Sequence, residues 1–125
     1  MNTKQTILER SFDFAKLIIS AYLSAKQQNE YVLSKQLLRS GTSIGANVEE
    51  AEGAISKREF AAKMSIALKE ARETRYWIRL IEHTKIVEIE TQLLLQEISE
   101  IIRMLTAIVK TTIENLKRDT NYKRG

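Results

Sequence analysis

Apolar residues recur at helical spacing in four separate stretches of this chain. Ile7, Phe14, Ala15, Ile18, Tyr22 and Ala25 share one helical face, which predicts a first helix from about residue 4 to Gln27. Gln28, Asn29 and Glu30 break the pattern. Leu33, Leu37, Ile44, Val48 and Ala51 resume it and define a second helix. That series crosses Gly41 and Gly45 without a slip in period, so the helix is expected to run through both. Each glycine costs about 1 kcal/mol against alanine in a helix interior, and small residues there allow a close helix–helix approach. The alternative is a loop around Ser40 to Ser43.

Gly53 and Ala54 end the second helix. Ser56-Lys57-Arg58-Glu59 then reads as a capping box, with Ser56 accepting from the amide three residues on and Glu59 reaching back. A third helix carries Phe60, Met64, Ala67, Leu68, Ala71, Ile78 and Ile81 and ends near His83. A fourth begins near Glu88 and continues through Leu94, Ile98, Ile101, Leu105 and Ile108 to Leu116, after which a basic tail from Lys117 is expected to fray. Residues 1–118 thus form one domain, with 119–125 as the basic tail. Short connections between long helices imply antiparallel neighbours. The expected fold is an all-α, up-down-up-down four-helix bundle.

Composition narrows the chemistry. The 125 residues include no cysteine and no proline, four glycines and one histidine. Disulfides, thiol catalysis and cysteine-ligated zinc are thereby excluded, and any serine triad would rest on His83 alone. His83 is better placed to meet the carbonyl end of its own helix. Glu49, Glu50 and Glu52 lack the ligand loop that a hard cation needs. Ser40-Gly41-Thr42-Ser43-Ile44-Gly45 lacks the lysine and preceding strand of a phosphate loop. No enzymatic activity, cofactor or metal is expected. No apolar run of 18 residues exists to span a membrane and the charged N-terminus is no signal peptide, which implies residence in the cytoplasm.

The polar residues are patterned too. On the second helix Gln36, Ser40, Ser43, Asn47 and Glu50 step by four, three, four and three beside the apolar stripe, with Arg39 on the same side. Small hydroxyls and an amide suit a hydrogen-bonded contact with another helix, although an exposed polar face is the plainer alternative. On the third helix Lys57, Arg58, Lys69, Arg72, Arg75 and Arg79 fall within an arc of roughly 120°. Glu59, Glu70 and Glu73 fall on the opposite flank with Ile66 and Trp77. Ile66 and Trp77 are candidates for an oligomer interface, Trp77 the stronger because aromatic anchors concentrate interface energy. Packing at the bundle's edge is the alternative for Trp77. The net charge is +4. Lys69, Arg72, Arg75, Arg79, Lys117, Arg118, Lys123 and Arg124 are the candidate nucleic-acid-binding residues, by attraction for phosphate backbones with weak sequence preference. A solvated face balanced by glutamates is the alternative.

The stretch QLLRSGTSIGANVEEAE from Gln36 to Glu52, followed by SKREFAAKMSIALKEARET, resembles the 23S rRNA intervening-sequence protein family. The matching positions are Gln36, Leu37, Arg39, Ser43, Ile44, Asn47, Val48 and Glu50, then Ser56, Glu59 and Phe60, with Glu70 and Glu73 further on. Gly45 stands where the family often has proline, and Glu50-Ala51-Glu52-Gly53 departs from its Glu-Gly ending. The resemblance implies a left-handed antiparallel bundle that assembles as a homopentamer. Its more distant likeness to the retroelement accessory variability proteins implies a basic ring that works with RNA or DNA. For Gln36, Arg39, Ser43, Asn47 and Glu50 it implies a polar network that sets packing or register. The function expected is a non-enzymatic oligomer that binds nucleic acid. The rival is a scaffold that recruits a partner protein.

Overall fold

The computed structural model describes the backbone of residues 5–124 and the side chains of residues 5–121. Four helices occupy nearly all of it: α1 (Ile7–Gln27), α2 (Val32–Glu52), α3 (Lys57–Thr84) and α4 (Thr91–Arg124). Each helix packs on the next in sequence, and α1 also meets α4. Across α2 and α3 the partners ascend on one helix as they descend on the other: Arg39 with Glu73, Ser40 with Thr74, Glu50 with Lys63. Across α3 and α4, Lys57 meets Asp119 and Glu82 meets Gln92. Antiparallel neighbours produce that order.

The helix ends follow local chemistry. Thr6 caps α1 through a capping box with Glu9, so the helix starts at Ile7 rather than near residue 4. Asn29 adopts a left-handed φ of 63° and turns the chain out of α1. At α2 the N-cap position, Tyr31, provides no side-chain bond. Glu30 takes over: its buried carboxylate accepts from the amides of Val32, Leu33 and Ser34 at 3.1, 2.9 and 2.8 Å. At α3 the expected box forms in part. Ser56 accepts from Glu59 N–H at 3.0 Å, but the Glu59 carboxylate accepts from Ile55 N–H, one residue further back than expected. Lys85, at φ 52°, closes α3. The fourth helix starts at Thr91 rather than Glu88 and continues to Arg124, past the expected end at Leu116.

The core residues are those of the periodic series, among them Phe14, Ile18, Leu37, Ile44, Met64 and Ile78, each at most 1% exposed. Helix α2 is continuous through both glycines. At Gly41 a β-carbon would sit 2.8 Å from Ile18 Cγ1, so α1 and α2 approach there as only glycine permits. At Gly45 the nearest atom, the Ser11 carbonyl oxygen, is 3.4 Å away, an ordinary contact. No helix of the described residues is long and apolar enough to cross a membrane.

Two stability predictions follow from these contacts. Gly41→Ala drives a methyl into the packed Ile18 side chain and should lower stability by about 1–3 kcal/mol. Gly45→Ala should be neutral or stabilising by up to about 1 kcal/mol. Denaturant melts check the pair, and equal effects at both sites contradict the close approach. Burial pushes the Glu30 carboxyl up, but the bonds from Leu33, Ser34 and Val32 outweigh it and hold it below the ordinary glutamate value of 4.5. A carboxyl lowered in the folded state stabilises fully above its unfolded pKa and loses that contribution as the pH falls through the folded one. Glu30→Gln should therefore cost about 1–2 kcal/mol at pH 7. The gap to the parent should shrink below the unfolded pKa, and melts across pH measure it.

Candidate functional site

The motif residues of α2 and α3 meet in the seam between these helices. Ser40 and Thr74, both fully buried, lie in hydroxyl contact at 3.0 Å, and Thr74 also bonds the Glu70 carbonyl at 2.8 Å. At the mouth of the seam Arg39 forks across to α3: Nη1 reaches Glu70 Oε2 at 3.4 Å and Nη2 bonds Glu73 Oε2. Gln36 Oε1 steadies the fork by accepting from Arg39 Nε at 3.1 Å. Trp77 Nε1–H donates to the same Glu73 oxygen at 3.0 Å. Two donors on one carboxylate oxygen tie a charged fork and an indole into a single cluster.

The other members of the expected polar network are placed differently. Ser43 Oγ bonds the Arg39 carbonyl and Asn47 Nδ2 bonds the Ser43 carbonyl, both back along their own helix. Glu50 crosses to Lys63 at 2.6 Å, a bond that raises the lysine's pKa above its usual value. Gln36, Arg39 and Glu50 thus serve the α2–α3 contact, whereas Ser43 and Asn47 bond along α2. The pairing of Arg39 with Glu70 and Glu73 went unread in the sequence. The one local signal for it was the spacing of Glu70, Glu73 and Trp77 on a single flank of α3.

The two interface candidates differ. Ile66 is exposed, whereas Trp77 is half-buried, packs against the core and has its polar edge bonded to Glu73. Tyr76 stands edge-on to Trp77 at 5.2 Å and is itself exposed.

Lys69, Arg72, Arg75 and Arg79 share by helical spacing the flank of α3 away from Glu70, Glu73 and Trp77, whereas Lys63 crosses to Glu50 of α2. Lys69, Arg72 and Arg79 are exposed and Arg75 is half-buried. Among the described residues none of the four carries a hydrogen bond or ion pair. The acids of α3 are all engaged: Glu59 with the Ile55 amide, Glu70 and Glu73 with Arg39, Glu82 with Gln92. Lys117 is exposed near the end of α4, and Arg118 donates to Asn115 one turn back. Lys123 and Arg124 fall in the last turn of α4, and their side chains lie outside the described residues. No group of three or more acidic or histidine side chains among the described residues is placed to hold a metal ion.

These features define an all-α four-helix protein whose motif lies in a helix–helix seam. The chain belongs to the 23S rRNA-intervening sequence protein family, whose model matches residues 3–107. It is also similar to the crystal structure of a protein with unknown function from the S23 ribosomal protein family of Bacteroides thetaiotaomicron. The two are 43% identical with a TM-score of 0.79, over 84% of this chain and 99% of that one. No curated protein matches.

Trp77 is the single tryptophan of the chain, so the seam has its own reporter. Glu73→Ala removes the partner of both Arg39 and the indole. It should shift Trp77 emission to longer wavelength and cost about 1 kcal/mol, the scale of a partly exposed charged hydrogen bond. Unchanged emission and stability together contradict the cluster.

Proposed function

We propose that this chain is a non-enzymatic, self-associating four-helix protein that binds nucleic acid through the flank of α3 opposite Glu70 and Glu73. One observation carries the reading. Helix α3 sorts its charge, and its carboxylates are satisfied while Lys69, Arg72, Arg75 and Arg79 have no partner among the described residues. Unpaired guanidinium and ammonium groups along about 15 Å of helix attract a phosphate backbone without selecting a base sequence. Arg58 at the start of α3 and Lys110 and Lys117 on α4 are further exposed cations on these two helices. Repetition of the flank around an assembly, five copies in the family resemblance, multiplies its avidity for a long polyanion.

A mobility-shift assay with rRNA fragments tests it. Retention is expected at about 50 mM salt, weakening steeply towards 200 mM as counterion release demands. Replacing Lys69, Arg72 and Arg75 together by glutamine should flatten that salt slope by about 3 and abolish retention at the higher salt. No retention of the parent at low salt overturns the reading. Equal retention by the triple variant moves the function towards recruitment of a partner protein, for which the exposed Phe12, Ile19 and Leu23 of α1 supply an apolar surface.

A further inference from the structure

One aromatic ring stands among the cations of α3. Tyr76 follows Arg72 by four residues and precedes Arg79 by three, so helical spacing puts all three on one strip of surface. Around the helix it falls between Lys69 and Arg72. It is 55% exposed. The other aromatics of α3, Phe60 and Trp77, pack against the core, and the Trp77 indole is bonded to Glu73 on the far flank.

The ring is braced, yet it keeps an open face. Trp77 meets it at 5.2 Å with the two planes inclined at 70°, an edge contact that leaves at least one face of the tyrosine uncovered. The indole is tied to Glu73, and through that carboxylate to Arg39, so the seam steadies the ring. On α1 the rings of Phe12 and Tyr22 are already occupied, with Lys16 Nζ over the first at 5.5 Å and Lys26 Nζ over the second at 5.6 Å. Exposed Tyr31 follows Glu30 and bonds Asn29 through its hydroxyl. Among the described residues Tyr76 has neither a cation over its ring nor a bond to its hydroxyl, although Arg72 and Arg79 lie a turn to either side.

An open ring between cations suits one kind of ligand. In a duplex each base is covered by its neighbours, whereas an unpaired base has a face free to lie on an aromatic side chain. Along the helix axis Arg72 lies about 6 Å before Tyr76 and Arg79 about 4.5 Å after it, which supplies a guanidinium for the phosphate on each side of a stacked base. We propose that Tyr76 is a stacking platform for an unpaired base, a role that rests on the nucleic-acid reading of this flank and makes unpaired nucleotides its substrate class. Stacking adds affinity that charge does not provide, and it tolerates any sequence because every base has a π-face.

Titration with two single strands of about 12 nucleotides tests this: oligouridylate, and a strand of the same length and charge whose riboses carry no bases. At about 50 mM salt the parent should bind the strand with bases roughly 5- to 100-fold more tightly. Tyr76→Leu should keep the parent's affinity for the base-free strand and bind both strands alike. Tyr76→Phe retains the ring and should retain the difference. Replacing Lys69, Arg72 and Arg75 together by glutamine should weaken both strands. Equal binding of the two strands by the parent, a difference that survives Tyr76→Leu, or one that is lost in Tyr76→Phe overturns the stacking role and leaves the basic flank standing. No binding of either strand by the parent, or undiminished binding by the triple variant, overturns the flank and the stacking role together. The comparison of the two strands on the parent decides the matter even where a variant folds poorly.

Discussion

The lie of α2 on α3 is the constraint on which the rest of this structure depends. Apolar packing alone would let two helices slide or rotate by a turn at small cost, since one aliphatic contact replaces another. The Ser40–Thr74 pair removes that freedom. Both hydroxyls are fully buried, and a slip of one turn would strip Ser40 of its cross-helix partner at a cost of about 1–3 kcal/mol, while Thr74 kept the Glu70 carbonyl of its own helix. Arg39 repeats the constraint at the solvent edge, where its fork fits Glu70 and Glu73 one turn apart. On its other face α2 is pressed against α1 at Gly41, and its start is held by Glu30. Helix α2 is therefore fixed on both sides and at its first turn.

This arrangement has an electrostatic consequence. The carboxylates of α3 are spent on packing, either on Arg39 or on backbone and amide groups at the helix ends. Its arginines and Lys69 fall on the opposite flank, where no carboxylate of the described residues pairs with them. A modest net charge of +4 thus becomes a local field along one edge of the bundle. The motif that marks the family and the surface proposed for nucleic acid are two sides of one helix. The first is structural, and it leaves the second unneutralised.

Much of this was legible in the amino-acid sequence. The 3.6-residue period placed the four helices and named Phe14, Ile18, Leu37 and Ile44 as core, because burial leaves a repeating mark on the chain. Ser56 announced α3 by its capping chemistry. The features that escaped depend on distance or on context. Arg39 and Glu73 are 34 positions apart, and periodicity tells which face a residue occupies but not which neighbour that face meets. Ser40 read as part of a polar stripe beside the core, whereas the roll of α2 against α3 takes it inside. Glu30 looked like one residue of a polar break, although its carboxylate caps α2 from two residues before the helix. Helix α4 outlasts its strong apolar series because neither proline nor glycine interrupts it before Gly125, so no breaker marked Leu116 as an end.

On the proposed function, the motif seam packs the molecule and the flank of α3 that carries Lys69 meets the nucleic acid. Lysine acetylation footprinting on the intact protein, with and without a bound RNA stem–loop at low salt, tests it most directly. Lys69 should be protected by the RNA, while Lys16, Lys26 and Lys35, all exposed on α1 and α2, should react at their free rate. Protection of the α1 and α2 lysines with Lys69 left reactive would contradict the account.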